Sequence, residues 1–179
     1  MSNFVIHSEA EQGTPEWLEA RNAGIGSTDS SSILGVNPYK TPKEVYLEKI
    51  GEGSKFEGNW FTERGKALEP VLRQHFSDAF GKDVLNVPGT LRHPDYDFIL
   101  ASLDGYTEDG ELTEFKTATT RKGWGEAGSD EIPAMYLVQV QHAMLVTGTE
   151  VTQVGVSFGG LEPEYYTPLD RDWETKMKS

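Results

Sequence analysis

Apolar residues recur at helical spacing through the first half of the chain and at strand spacing after it, with the change of period near Gly81. Thr14-Pro15-Glu16 reads as an N-cap, a first-turn proline and an acidic first turn. They open a short helix through Trp17, Leu18 and Arg21 that Gly24 and Gly26 end. Thr28-Asp29 is expected to cap a second helix carrying Ile33 and Leu34, stopped by Gly35 before the Asn37-Pro38 turn. Thr41-Pro42 opens a third, through Val45, Tyr46 and Ile50 to Gly51. From Trp60 to Phe80, Phe61, Leu68, Val71, Leu72, Phe76 and Phe80 keep a helical period, which predicts the first long helix. Val84–Leu91, Phe98–Leu103 and Glu111–Thr117 are strand-like, with Glu108-Asp109-Gly110 as hairpin-turn chemistry between the last two, so an antiparallel meander is expected. A second strong helix is predicted over Pro133–Thr147, then strands over Val151–Phe158 and Tyr165–Leu169, and a short helix from Asp170. Repeats, low-complexity tracts and linker-like segments are absent from the sequence.

Composition narrows the chemistry. A chain of 179 residues with 36% hydrophobic content suits a single domain, 1–179. With no cysteine, disulfides, cysteine-ligated metals and thiol catalysis are excluded, and the four histidines lack metal-binding spacing, which leaves oxygen ligands for any metal. No apolar run approaches the roughly 20 residues that span a bilayer, and Met1–Gln12 is polar and acidic, so a soluble, cytoplasmic protein without membrane contact is expected. The net charge of −13 argues against holding nucleic acid by bulk electrostatics, although a local groove follows its own charge, and acidic metal ligands are offset by a bound cation.

The group that carries chemistry is Ser102-Leu103-Asp104-Gly105 at a strand end, followed across the turn by Glu114-Phe115-Lys116. Alternate strand residues share a face, so Glu114 and Lys116 point one way and Phe115 the other, and hairpin pairing can bring Asp104 beside them. Two neighbouring carboxylates repel unless a proton or a cation sits between them. Magnesium, which takes a few carboxylate oxygens plus water and phosphate oxygens, suits the set, and phosphodiester hydrolysis suits the metal. Lys116 would orient or help deprotonate the attacking water. By spacing alone the same residues also describe an exposed hairpin with a surface ion pair.

Asp104 with Glu114-Phe115-Lys116 resembles the PD-(D/E)xK nuclease motif. The flanking Trp17-Leu18-Glu19-Ala20-Arg21, Gly24-Ile25-Gly26-Ser27-Thr28-Asp29, Gly65-Lys66-Ala67-Leu68-Glu69 and Tyr136-Leu137-Val138-Gln139-Val140-Gln141 resemble, in order, the lambda-exonuclease and YqaJ-like viral recombinase branch. That resemblance implies a restriction-endonuclease-like α/β (α+β) core, 59–169, with a central mixed β-sheet of about five strands flanked by helices. An N-terminal helical segment, 1–58, would precede it and a short helix, 170–179, would follow. It implies Glu69, Asp104, Glu114 and the Phe115 carbonyl as ligands of Mg2+, with Mn2+ as a substitute, Lys116 as the catalytic lysine, and Gln139 supporting the lysine or the active-site water. Arg21, Thr28 and Ser102 would form a pocket for a DNA 5′-phosphate, with threonine where the better-known pattern has serine. Tyr136, Arg121, Lys122 and Trp124 are candidate DNA contacts.

The function expected is a metal-dependent 5′-to-3′ exonuclease on linear double-stranded DNA in phage-type recombination, leaving single strands for an annealing protein and acting as a homo-oligomer, a trimer by the family pattern. Rival readings are an endonuclease of the same superfamily, a non-catalytic acidic binding module suggested by the charge, and a two-carboxylate glycosidase, which leaves Lys116 unexplained. ATP use is not indicated, because the glycine-rich signatures of nucleotide hydrolases are absent.

Overall fold

In a computed structural model of the chain, which describes residues 5–53, 58–87 and 89–169, the N-terminal segment comprises β1 (Val5–Ser8), α1 (Pro15–Asn22), α2 (Ser27–Ile33) and α3 (Pro42–Lys49). The remainder comprises α4 (Trp60–Phe80), β2 (Val84–Leu85), β3 (Thr90–Arg92), β4 (Leu100–Ala101), β5 (Gly105–Thr107), β6 (Leu112–Ala118), α5 (Ala134–Thr147), β7 (Thr152–Phe158) and β8 (Glu164–Tyr166). The short helix expected from Asp170 lies outside the described residues. Among those residues no helix is long and apolar enough to cross a membrane.

A mixed five-stranded sheet in the order β2-β5-β6-β7-β8 forms the centre, with β6 and β7 parallel and the other neighbours antiparallel. α4 covers one face, where Leu72 and Phe76 pack on Phe115, and Phe76 meets the Phe115 ring edge-on at 6.2 Å. α5 covers the other, where Val140 packs with Val154, Val156, Phe158 and Tyr166. Its later turns, Ala143, Met144 and Val146, pack with Leu91, Ala101, Leu103 and Leu112. α5 is therefore buried along most of its length, in keeping with its apolar sequence. β6 alternates as predicted, with Phe115 turned toward α4 and Glu114 and Lys116 turned the other way.

The predicted antiparallel meander is not what forms. The run Val84–Leu91 divides into β2, which joins the central sheet, and β3, which pairs with β1 and β4 in a separate three-stranded sheet. The break falls at Gly89, whose φ is +72° and whose missing side chain admits the Ser8 carbonyl to 1.8 Å of where a Cβ would lie. Within Phe98–Leu103 only Leu100–Ala101 is strand, and the partner of β6 across the Glu108-Asp109-Gly110 turn is β5, which the sequence reading joined to neither run. β1 was also unforeseen, because its four residues carry no decisive alternation. The second helix starts two residues earlier than a Thr28 cap would place it, with Gly26 at the N-cap and Asp29 reaching back to the Gly26 amide at 3.0 Å.

Candidate active site

The N-terminal helices reach the site through a backbone joint. Ile25 forms a parallel bridge to Ile99, donating its amide to the Phe98 carbonyl at 2.7 Å and accepting the Leu100 amide at 2.9 Å. Gly24 makes the approach possible, since a Cβ there would lie 2.4 Å from the Phe98 carbonyl oxygen. The joint puts Arg21, at the end of α1, and Thr28, in the first turn of α2, beside Ser102 and Asp104 in the link between β4 and β5. They share a cleft of about 160 Å³ with Glu114 and Lys116 of β6 and Gln139 of α5. The Arg21 guanidinium carbon lies 5.2 Å from the centroid of the buried Trp17 ring.

Asp104 accepts the Phe115 amide at 2.8 Å, and burial together with the Glu114 charge pushes its carboxyl up to about 8 against the opposing pull of Lys116. Lys116 forms an ion pair with Glu114, and its ammonium lies 5.3 Å from the Tyr136 ring centroid. Burial works against the charge on Lys116, but Glu114 and Asp104 outweigh it and hold the group above the ordinary lysine range. In this state Lys116 is a cationic hydrogen-bond donor rather than a base. Burial also raises the Tyr136 hydroxyl.

Glu69 stands further back on α4. Its charge adds to the upward push on Asp104, and it pairs with Arg73 at 3.4 Å. Among the described residues no three acidic or histidine side chains are gathered at metal-holding distances. The donor set nevertheless fits a hard divalent cation. A buried carboxylate beside a second one, with only the single positive charge of Lys116 between them, is an environment that a cation relieves.

Arg121, Lys122 and Trp124 do not enter the cleft. Arg121 forms a two-pronged pair with Glu164 and lies 4.5 Å over the Phe158 ring, and Trp124 packs against Tyr136, Phe158 and Tyr166. Arg121 and Trp124 line a separate cavity of about 410 Å³ that also holds Glu126, Glu131 and Glu164, an acidic setting for a DNA contact. The sequence offers Arg73 only as one of several basic candidates for nucleic-acid contact and Asp29 only as a helix cap, and both do more beside the cleft. Arg73 donates to the Asp104 carbonyl as well as to Asn86, and the one hint of it is its position four residues after Glu69. Asp29, read as a cap, is also a buried ion-pair centre with Lys49 at 2.9 Å, and nothing in the spacing announces a partner on another helix.

Residues 16–150 match the YqaJ-like viral recombinase domain. The chain belongs to the YqaJ-like viral recombinase family. Its matched span contains every residue of the cleft from Trp17 to Gln139. Among curated relatives, the YqaJ protein of Bacillus subtilis (strain 168) is 39% identical over 153 residues, covering 82% of this chain and 46% of that protein. A protein of Acanthamoeba polyphaga mimivirus is 31% identical over 150 residues, covering 76% of this chain and 27% of that one. The chain thus covers less than half the length of these relatives. Among solved structures, an alkaline exonuclease from Laribacter hongkongensis superposes with a TM-score of 0.71 at 21% identity, over 92% of this chain and 86% of that one. A phage-related exonuclease from Haemophilus somnus 129PT superposes with a TM-score of 0.56 at 14% identity, over 79% and 70%. These likenesses show that the chain shares the fold of these two exonucleases.

Proposed function

We propose that this domain is a metal-dependent exonuclease that degrades linear double-stranded DNA from its 5′ ends. The observation that carries the reading is the shared cleft: Arg21, Thr28 and Ser102 line the same cavity as Asp104, Glu114 and Lys116. An endonuclease has no need of a terminal-phosphate grip next to its hydrolytic group, whereas an end-dependent enzyme needs both within about one nucleotide of each other. The two exonucleases of like fold support the same reading, and the Laribacter hongkongensis enzyme has also been solved with dAMP, a nucleoside monophosphate.

In this mechanism Arg21 grips the 5′-phosphate through its guanidinium, fixed in place over Trp17, while the Thr28 and Ser102 hydroxyls supply neutral donors. Asp104, Glu114, the Phe115 carbonyl and Glu69 would hold Mg2+, or Mn2+ in its place. When bound, the ion activates water and offsets charge at the scissile phosphate. Lys116 donates to the oxygen that gains negative charge, and Gln139, 7% exposed on α5, orients the water or the lysine. Water oxygen bonds to phosphorus, the bond from phosphorus to the departing 3′ oxygen breaks, and that oxygen takes up a proton. Each cut releases a 5′-mononucleotide and leaves a fresh 5′-phosphate, the group that Arg21 binds in the next cycle. The exposed 3′-ended strand is the substrate for a single-strand annealing protein in phage-type recombination, and a trimer enclosing the duplex would keep the enzyme on its track.

The test is Mg2+-dependent degradation of a duplex labelled at one end, with and without a 5′-phosphate. Lys116→Ala is expected to abolish cleavage, and Arg21→Ala to remove the preference for the phosphorylated end. A folded, Mg2+-supplied wild type that cuts nothing would overturn the enzymatic reading, and equal cutting of circular and linear DNA would point to an endonuclease.

A further inference from the structure

Asp29 is 2% exposed, and no step of the proposed reaction uses it. Its carboxylate accepts the Gly26 amide at 3.0 Å and the Lys49 ammonium at 2.9 Å, with the Lys40 ammonium 3.7 Å away. Lys49, on α3, donates in turn to the Arg21 carbonyl at 3.2 Å. A single ammonium therefore ties the last turn of α1, the first turn of α2 and the end of α3 together. The segments it ties supply Arg21, Gly26, Ser27 and Thr28, which form one wall of the cleft. Arg21 also runs alongside this joint: a Cβ on Gly26 would lie 3.9 Å from Arg21 Nε and 3.6 Å from the Asp29 carboxylate.

Burying an ion pair costs desolvation, and well-packed apolar residues would hold three helix ends together about as firmly. What apolar packing lacks is direction. The pair fixes the Arg21 main chain and the Gly26 amide at defined points. We infer that Asp29 and Lys49 are positioning residues for the terminal-phosphate subsite, setting the orientation of Arg21 and hence the preference for 5′-phosphorylated ends. This rests on the reading of Arg21 as the phosphate grip.

The variants are Lys49→Met, which keeps the aliphatic stem, and Asp29→Asn, which keeps the acceptor for the Gly26 amide. Each is assayed as the full chain with Mg2+ on 5′-phosphorylated and 5′-hydroxyl duplexes, with thermal melting recorded alongside. On the phosphorylated end KM is expected to rise about tenfold with kcat within about twofold, while kinetics on the hydroxyl end stay at the wild-type level. In an Arg21→Ala background neither change is expected to alter the end preference further, because the grip they aim is already gone. A fall in kcat by the same factor on both ends would reduce the pair to a structural role and overturn the inference, as would effects that add to Arg21→Ala. If the wild type prefers phosphorylated ends through Arg21 and both variants are silent, this inference alone falls. If the wild type shows no preference and Arg21→Ala is silent, the phosphate reading falls and takes the inference with it.

Discussion

The Asp104 side chain continues a ladder that its own strand abandons. β5 pairs with β6 up to Gly105 opposite Thr113, and the chain turns away before Leu103 can meet Phe115. The Phe115 amide, left without a strand partner, is taken instead by the Asp104 carboxylate at 2.8 Å. That hydrogen bond pins the carboxylate at the open edge of the sheet, one register position from Glu114, and exposes the Phe115 carbonyl on the same side of the strand. The placement of Asp104 beside Glu114, on which the proposed metal site rests, thus arises from an interrupted hairpin.

Asp104→Asn separates charge from shape. The amide oxygen can still accept the Phe115 hydrogen bond, while the repulsion between buried carboxylates disappears. Without metal the variant is expected to melt no lower than the wild type, and nuclease activity to fall by about a hundredfold or more. Added Mg2+ should raise the melting temperature of the wild type and leave that of the variant nearly unchanged. A variant that melts well below the wild type and still responds to Mg2+ would refute the ligand role.

Arg73 holds the main chain that carries this carboxylate. It joins Glu69 on its own helix to the Asp104 carbonyl and is steadied by Asn86. Arg73→Met is expected to lower activity about 10–100-fold and to raise the Mg2+ concentration needed for half-maximal rate, since groups that orient ligands act through metal affinity. A Mg2+ titration checks it, and an unchanged midpoint would confine Arg73 to packing.

The long helices, the β6 alternation and the chemistry-bearing residues were legible because each is a local property: a period, a cap, or a motif within a few positions. α4 runs over the predicted span, and Arg21, Thr28, Ser102, Asp104, Glu114, Lys116 and Gln139 all line one cleft. What escaped depends on contacts between distant segments. Whether Val84–Leu91 is one strand or two is decided by Ser8 pressing on Gly89, and Asp29 could not be told from an ordinary helix cap until α3 delivered Lys49. Arg121 and Trp124 look like DNA contacts in sequence, yet Glu164 and an aromatic cluster occupy them.

His142 should make stability depend on mild acid. Its Nε2 lies 2.8 Å from the Leu100 carbonyl, and burial depresses its proton affinity below the ordinary value of 6.5, outweighing that hydrogen bond and the Asp29 charge and reinforced by His93. The folded state then binds fewer protons than the unfolded chain. The contribution is fully present above 6.5 and is lost as pH falls toward the depressed folded value. Asp104 shifts in the opposite sense, so the comparison must be with His142→Gln, in which only the imidazole is removed. The melting temperature of the wild type is expected to drop relative to that variant between about pH 7 and pH 5. Parallel curves would mean that the imidazole titrates freely in the fold.

Gly24→Ala tests whether the joint between the helical segment and β4 builds the site. A methyl group at this position would sit 2.4 Å from the Phe98 carbonyl oxygen and within 2.9 Å of the Leu100 side chain, so Ile25 must withdraw from its bridge to Ile99. The expected cost is about 1–3 kcal/mol, the usual range for overpacking a close contact. The functional effect should be uneven. Asp104, Glu114 and Lys116 belong to the central sheet and its β4–β5 link, whereas Arg21 and Thr28 ride on the displaced segment. The variant should therefore keep a measurable Mg2+-dependent cleavage at temperatures where it is folded, and lose most of its preference for a 5′-phosphate. Retention of the full preference would show that the helical segment is held in place by its packing on α5, with the Ile25 bridge a consequence of that packing rather than its cause.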